Sequence, residues 1–361
     1  MPATRLNRYL LAEISHPLLA ISLVLLAIFI SASTANYLTD AAAGLIPPAT
    51  VLRLVLLKSF LSLETLLPIA LYLAVVGGLG RLYADAEVTA LHAAGLSERW
   101  LLVPVLLLSL ACALLVGGLT LYGRPWAYQQ TYWLVTAAEA ALDFDKLEAG
   151  RFYESSESGR TIFVEQINHR QNSVEGIFLK NQRDDVIQVV YARRARQPRS
   201  ATGVEPVLLL TDGHFYELDP AGNRDVAVAF GELTLRLDEA EVKPSGYRRK
   251  AAPSATLAVA SRPDDIAEWQ WRLSRPLATL LLGLLGVPLA RATPRQGKYA
   301  RTLLAILIYL GYFNLSAMAR TWLEQGWVPP LPGLWWVEGL LTTLLLGLLL
   351  APAWRFRGDE R

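Results

Sequence analysis

The sequence predicts a polytopic α-helical membrane protein with six transmembrane helices, three before and three after an inserted all-β domain. The chain of 361 residues is 53% hydrophobic and only 18% charged, whereas soluble proteins are near one quarter charged. Six stretches are apolar over about 20 residues, the length that a helix needs to cross a bilayer. The section between the third and fourth stretches instead holds short runs rich in β-branched and aromatic residues, which are typical of strands.

The six predicted spans divide the chain into three parts. Residues 1–123 hold three spans, residues 124–270 form the β-domain, and residues 271–361 hold three more spans. The spans are placed at Leu18–Leu38, Leu52–Leu79, Trp100–Tyr122, Trp271–Ala290, Thr302–Thr321 and Leu334–Trp354.

The distribution of cations predicts the orientation. Arg81, Arg99 and Arg291 lie in loops on one side of the predicted membrane, together with further cations at both termini. The short loops of the other side, Thr39–Thr50 and Trp322–Gly333, hold no lysine or arginine. The positive-inside rule therefore predicts that both termini are cytoplasmic and that residues 124–270 lie outside.

The insert has the pattern of a β-sandwich or an open roll, with turn residues between its runs. Strands are predicted at Thr161–Ile167, Val174–Leu179, Val186–Tyr191, Val207–Leu210, Phe215–Leu218, Val226–Phe230 and Leu233–Leu237. A helix is predicted before them at Tyr128–Leu142, a hairpin or loop at Gln197–Val204, and a linker at Pro244–Arg262. The inward face is predicted to hold Phe152, Ile162, Val164, Phe178, Val189, Leu209 and Phe215. This face is either an ordinary core or, in an open roll, a surface for acyl chains.

A polar segment, Arg81–Ser97, separates the second and third apolar stretches. Residues 84–94 are rich in helix formers, with Gly95 as the residue after the helix and Ser97 as the next N-cap. Glu87 and Leu91 share one face of this helix with two alanines. The segment is either a surface that docks a partner or a solvated connector.

The same segment carries a resemblance to a known family. Gly80–Thr89, continued by Ala94–Ser97, resembles the coupling-helix segment of the LptF/LptG family, the membrane subunits of the lipopolysaccharide-exporting ABC transporter. Thr293–Lys298 resembles the loop between spans four and five in the LptF branch. Leu147–Phe152 and Asp212–Phe215 are similar to segments of the family's soluble insert. The resemblance covers essentially the whole chain.

The resemblance implies a β-jellyroll in the insert and a location in the Gram-negative inner membrane, with residues 124–270 periplasmic. It implies four protein partners: an LptG-type permease, an LptB-type ATPase dimer, an LptC-type membrane protein and an LptA-type periplasmic bridge. The resemblance assigns the contact with the ATPase to Asp85, Glu87, Leu91 and His92. The transported ligand is lipopolysaccharide, extracted from the outer leaflet of the inner membrane and passed to the bridge.

The residues themselves predict neither an enzyme nor a cofactor. The phosphate-binding pattern of nucleotide hydrolases is absent, so ATP hydrolysis is expected in a separate subunit. No histidine or cysteine has metal-ligand spacing, so no metal site is predicted. The net charge of +2 also gives no reason to expect a nucleic acid.

Five cations lie at the predicted outer ends of spans, where the positive-inside rule expects few. They are Arg53, Lys58, Arg272, Arg275 and Arg320. Each one alone fits a side chain that reaches to the lipid headgroups. As a group they predict a basic collar that binds the phosphates of a glycolipid. LptF relatives often carry a cation near the outer end of span one, but this chain has Ser33 and Asn36 there, which we also assign to the lipid path.

Two other classes of protein remain as alternatives. A secondary transporter would need titratable groups near the bilayer midplane, for which Glu64 and Glu338 are the candidates. Glu64 is instead expected to pair with Lys58 or with a neighbouring helix. A lipid-binding scaffold that anchors a periplasmic β-domain would need only one or two spans.

Overall fold

The computed structural model describes residues 2–42, 46–95, 99–140, 149–155, 160–168, 173–183, 186–196, 199–200, 203–204, 207–218, 225–236, 248–291 and 298–355. Two compact units divide the chain. The helical unit comprises residues 1–30, 59–128 and 249–361, and the second unit comprises residues 31–58 and 129–248. Besides the β-sheet, the second unit thus contains residues 31–58, which surround the first interhelical loop.

Long apolar helices dominate the chain and confirm the predicted fold class. The α-helices are α1 (Pro2–Ala42), α2 (Pro48–Ala84), α3 (Glu87–Ala93), α4 (Arg99–Gly118), α5 (Arg124–Ala140), α6 (Ser254–Leu257), α7 (Pro263–Ala290), α8 (Lys298–Glu324) and α9 (Trp335–Arg355). Five helical segments of the described chain are long and apolar enough to cross a membrane, and Trp335–Leu350 is a shorter apolar helix. The predicted lead-in at Tyr128–Leu142 corresponds to α5, which begins four residues earlier, at Arg124.

Helices α2 and α7 form the centre of the helical unit, since both contribute to its two apolar clusters. Small residues let α7 approach its neighbours closely. A Cβ on Gly283 would overlap the hydroxyl of Ser109 on α4, and one on Gly286 would lie 2.7 Å from Val75 on α2. Helix α7 starts with proline at its first turn and two aspartates beside it, a sequence that favours a helix N-terminus.

The polar segment folds as a shorter helix than predicted. Helix α3 begins at Glu87 rather than Ala84, because α2 continues through Ala84 and the chain then turns at Ala86 with φ 58°. Gly95 follows the helix with φ 85°, as predicted for the residue after a helix end. The predicted cap at Ser97 lies outside the described residues, as does most of the Thr293–Lys298 loop.

A π-helix at Leu119–Gly123 joins α4 to α5. Thr120, within it, donates a hydrogen bond of 3.1 Å to the backbone carbonyl of Arg272 on α7. The hydroxyl of Ser254 on α6 donates one of 2.6 Å to the carbonyl of Leu121. Residues of this π-helix therefore form hydrogen bonds with both α6 and α7.

The insert is an antiparallel sheet with a small hairpin. Its strands are β1 (Arg151–Ser155), β2 (Arg160–Asn168), β3 (Ser173–Arg183), β4 (Val186–Arg196), β5 (Arg199–Ser200), β6 (Gly203–Val204), β7 (Val207–Leu218) and β8 (Val226–Arg236). The six longer strands pair in the order β1-β2-β3-β4-β7-β8, and β5 pairs with β6. The described strands therefore form a meander, in which each long strand pairs with the next, rather than the two Greek keys of a jellyroll.

Two pairs of predicted strands are single strands in the structure. The predicted turn at Asp212 lies inside β7, where Asp212 has φ 53° and the pairing with β4 and β8 continues on both sides. The register with both neighbours is the same before and after Asp212, so the chain changes its backbone conformation there without reversing. The gap between the strands predicted to end at Phe230 and to begin at Leu233 likewise lies inside β8. The hairpin predicted at Gln197–Val204 is confirmed by the pairing of β5 with β6.

The core of the sheet lies on one face and corrects part of the predicted list. Ile162 and Val164 are buried there as predicted. Val190 is buried, whereas Val189 is only partly buried, because neighbouring residues of a strand point to opposite faces. Phe152 was also placed inward, yet it is 66% exposed and stacks on Phe163.

Candidate functional site

The α3 segment presents a mixed surface. Val88 is buried against the helical core, while Asp85 and His92 are exposed and Leu91 is partly exposed. Glu87 is partly buried and accepts a hydrogen bond of 2.9 Å from the hydroxyl of Tyr9 on α1. The residues predicted to contact an ATPase therefore include three accessible side chains and one carboxylate that already has a partner within the chain.

A second feature, the α7 hub, consists of Glu268 and the three arginines that bond it, Arg124, Arg272 and Arg320. Glu268 is fully buried. Its Oε1 accepts from Nε of Arg124 at 2.7 Å and from Nε of Arg272 at 3.1 Å. Its Oε2 accepts from Nη2 of Arg320 at 2.8 Å. Three helices, α5, α7 and α8, thus meet at one carboxylate.

Arg272 is fully buried, and all five of its N–H donors are occupied. They bond Oε1 of Glu268, the carbonyls of Arg249, Lys250 and Ala252, and the hydroxyl of Ser254. Four of these acceptors belong to residues 249–254, the segment that precedes α7. Arg272 therefore fastens this segment to α7, and its predicted contact with lipid phosphate stays a prediction.

Arg124 connects the hub to a second carboxylate. Its Nη1 donates to Glu64 on α2, which confirms the expectation that Glu64 pairs with a neighbouring helix. Both side chains are nearly inaccessible to solvent. Glu64, one of the two carboxylates that a secondary transporter would use, is thereby held in an ion pair. The other, Glu338, accepts a hydrogen bond of 3.0 Å from Tyr312.

The remaining predicted lipid contacts differ in exposure. Arg275 is buried with its guanidinium 3.6 Å from the ring centroid of Trp271, and its Nε and Nη2 have no hydrogen-bond partner among the described residues. Arg320 is 15% exposed at its side chain. Arg53 is exposed and Lys58 is partly exposed. On the predicted span-one path, Ser33 is buried and Asn36 is exposed.

Two further cations, Arg249 and Lys250, lie near the hub. Arg249 lies 3.3 Å from Glu324 and 3.9 Å from Asp264. Lys250 places its Nζ 5.5 Å from the ring centroid of Tyr128. Burial lowers the pKa of Lys250 below its ordinary value, and the nearby arginines of the hub lower it further. Arg249 is thus paired with carboxylates, whereas Lys250 lies close to the arginines of the hub.

Sequence reasoning missed Glu268 and Arg124. The spacing of Glu268 and Arg272, four residues apart on one helix, was a signal for the first. Arg124 lies just beyond a predicted span, where a cation is ordinary and does not indicate a buried partner. The signal for it was Glu64, since a carboxylate deep in an apolar helix requires a cationic or hydrogen-bonding partner.

The second unit holds an apolar cavity of about 380 Å³ on one face of the sheet. Its lining is Leu179, Asn181, Gln188, Val190, Phe215, Val228, Phe230 and Leu233. Only two of these side chains are polar, and both are amides. The cavity fits an apolar ligand such as part of an acyl chain.

Comparison with known proteins agrees with this arrangement of helices and inserted sheet. The family model described as lipopolysaccharide export system permease LptF/LptG matches residues 8–351. The chain belongs to the LptF/LptG family. Over 356 residues it is 26% identical to the lipopolysaccharide export system permease protein LptF of Escherichia coli K12, covering 94% of this chain and 93% of that protein. The LptF proteins of Escherichia coli O157:H7 and Shigella flexneri match to the same extent. The chain is therefore a multi-pass inner-membrane protein of a permease family.

Proposed function

We propose that this chain is the LptF-type permease subunit of an ABC exporter that extracts lipopolysaccharide from the outer leaflet of the inner membrane. The match to the LptF/LptG family over residues 8–351 carries this proposal. The chain pairs with an LptG-type permease and an LptB-type ATPase dimer, and it passes the lipid to LptC-type and LptA-type proteins. The ATPase subunits hydrolyse the nucleotide, so the permease itself is not an enzyme.

In this proposal both termini are cytoplasmic and the β-domain, about residues 124–270, is periplasmic. The asymmetry of cations between the short loops supports this orientation. Helix α3 then faces the ATPase, with Asp85, Leu91 and His92 as accessible contacts and Glu87 beside them.

Lipid phosphates are proposed to bind the exposed cations of the predicted collar, Arg320 in the helical unit and, separately, Arg53 and Lys58 in the second unit. These side chains reach solvent in the structure, whereas Arg272 and Arg275 are buried. A charge-assisted hydrogen bond from arginine to phosphate is among the stronger polar contacts in proteins, which suits a ligand that carries several phosphates. The apolar cavity of the sheet is proposed to take acyl chains.

The experiment is purification of the chain with its neighbours from Gram-negative inner membranes, followed by mass spectrometry of the bound proteins and lipids. We expect an ATPase, a second permease and lipopolysaccharide to copurify. A six-span inner-membrane protein purified in parallel gives the background. Recovery of neither ATPase nor lipopolysaccharide above this background would overturn the proposal.

A further inference from the structure

We propose that Glu268 is a positioning residue that aims the guanidinium of Arg320 at the phosphate of the lipid. This inference rests on the proposed lipid-export function. Glu268 itself is fully buried and so does not touch the ligand. It acts through Arg320, which reaches solvent at its side chain.

The carboxylate of Glu268 is fixed on both of its oxygens. Arg124 and Arg272 hold Oε1 from two directions, and Arg272 in turn is fixed by its four other hydrogen bonds. Arg124 is held by Glu64 as well. Rotation of the Glu268 carboxylate would break several buried charge-assisted bonds at once, so its Oε2 offers Arg320 an acceptor in a fixed place.

Among the residues that the structure describes, Arg320 uses only part of its hydrogen-bonding capacity. Its Nη2 donates to Glu268 and its Nε donates to Glu324 at 2.8 Å, while its guanidinium carbon lies 4.7 Å from the ring centroid of Trp271. Among the described residues, its Nη1 has no hydrogen-bond acceptor. Because a guanidinium is planar and rigid, the bond from Nη2 to the fixed Oε2 of Glu268 limits the directions that Nη1 can take. That nitrogen is the donor available to a phosphate.

The two carboxylates that bond Arg320 have opposite effects on an incoming anion. Glu268 is fully buried, so an incoming phosphate cannot compete with it for Arg320, and its bond to Nη2 stays in place. Glu324 is 21% exposed and bonds the same guanidinium, so a phosphate that reaches Arg320 competes with it. Glu268 therefore supports anion binding, and Glu324 opposes it.

The test is photo-crosslinking of lipopolysaccharide by the assembled complex, with a photoreactive residue at Ala317, which is exposed one helical turn before Arg320. We expect Glu268→Gln to reduce crosslinking roughly tenfold, the effect of losing one charge-assisted hydrogen bond. Glu324→Gln is the matched control on the same guanidinium, with crosslinking unchanged or increased. A loss in Glu324→Gln equal to that in Glu268→Gln would overturn the proposal.

A double-mutant cycle separates positioning from a purely structural role. In an Arg320→Gln background, Glu268→Gln should cause no further loss of crosslinking, because the side chain that it positions is already gone. Equal fractional losses in both backgrounds would show a structural role and overturn the inference. If Glu268→Gln fails to assemble, Glu268→Asp replaces it. That variant keeps the charge on a shorter side chain, and its partial loss should likewise vanish in the Arg320→Gln background.

Two further arms identify the ligand and separate this inference from the proposed function. Unlabelled lipopolysaccharide should abolish the crosslink, while inorganic phosphate should not; the reverse would show a free-phosphate site and overturn the lipid assignment. Wild-type protein that crosslinks no lipopolysaccharide from any position would overturn the proposed function. Wild-type crosslinking that is unchanged in Glu268→Gln would overturn only the positioning role.

Discussion

The hydroxyl of Tyr9, near the start of α1, donates a hydrogen bond of 2.9 Å to the carboxylate of Glu87, the first residue of α3. The ion pair of Arg81 with Glu13 joins α2 to α1 in the same region. The proposed ATPase-facing helix is therefore connected to α1 by a polar contact that leaves most of its surface free.

Glu87→Lys reverses a charge on this surface and should abolish copurification of the ATPase while the permease still accumulates in the membrane. Tyr9→Phe is the matched control, since it removes only the internal hydrogen bond and should keep the ATPase bound. The measurement is the ratio of ATPase to permease after affinity purification. Full ATPase recovery with Glu87→Lys would make Glu87 an ordinary solvated residue.

Cysteines at Ala94 and Thr234, both exposed, should react with membrane-impermeant maleimide from opposite sides of the membrane. The native Cys112 is buried and provides the low background, so the wild-type chain is the control. Intact spheroplasts should label Thr234→Cys, and only permeabilised ones should label Ala94→Cys. Labelling of both in intact spheroplasts would contradict the proposed orientation.

Arg124→Gln should destabilise the helical unit by about 3–5 kcal/mol, because it leaves Glu64 and Glu268 buried without their shared cation. The apparent Tm of the detergent-solubilised protein measures this. Arg194→Gln, which breaks an exposed pair with Glu175, is the control and should cost about 0–1 kcal/mol. Similar losses of stability in the two variants would show that the buried network contributes no more to stability than an exposed ion pair does.

Gly213→Ala should destabilise the β-sheet, since an added Cβ would overlap the carbonyl of Tyr191 and the ring of Phe230. Overpacking of this kind costs about 1–3 kcal/mol. Gly231→Ala on β8 is the control, because no atom lies within 4 Å of its added Cβ. Limited proteolysis of the insert should show faster cleavage in the first variant only, and equal resistance would argue against tight packing at Gly213.

The double variant Arg53→Gln/Lys58→Gln should reduce lipopolysaccharide crosslinking from a photoreactive residue at Asn36, and each single variant should matter little. A single exposed charge contact contributes about 0–1 kcal/mol, so two losses are needed for a clear effect. Arg53→Lys/Lys58→Arg keeps both charges and should crosslink as the wild type does. Unchanged crosslinking in the neutral double variant would indicate that these side chains only reach the headgroup layer.

Local patterns in the sequence were enough to predict the helices and the β-class of the insert, because a helix in lipid needs about 20 consecutive apolar residues and strands favour short runs of β-branched and aromatic residues. They were not enough for the start of α3, which depends on the positive φ of Ala86, a residue with no conformational signature of its own. The choice of Val190 over Val189 for the core depends on strand register, which pairing with β3 and β7 fixes.

The polar cluster was the part that sequence predicted least. Arg320 was predicted as a cation at the end of a span, but its partner Glu268 lies 52 residues away on another helix. Glu64 was predicted to have a partner, but that partner, Arg124, lies 60 residues away. Spacing along a chain gives no information about such pairs. Arg272 and Arg320 look equivalent in sequence. Within the described part of the chain, however, every donor of Arg272 is occupied and Nη1 of Arg320 is not, because only Arg272 lies beside the carbonyls that precede α7.

The π-helix at Leu119–Gly123 also sets how far α5 is rotated about its own axis relative to α4. One residue of an α-helix corresponds to about 100° of rotation, so a deletion of one residue here would turn α5 by that angle relative to α4. Arg124 would then leave the side of the helix on which Glu64 and Glu268 accept its hydrogen bonds. The number of residues in this stretch is therefore as constrained as their identity, and length variants here should be tolerated far less than substitutions on the lipid-facing side.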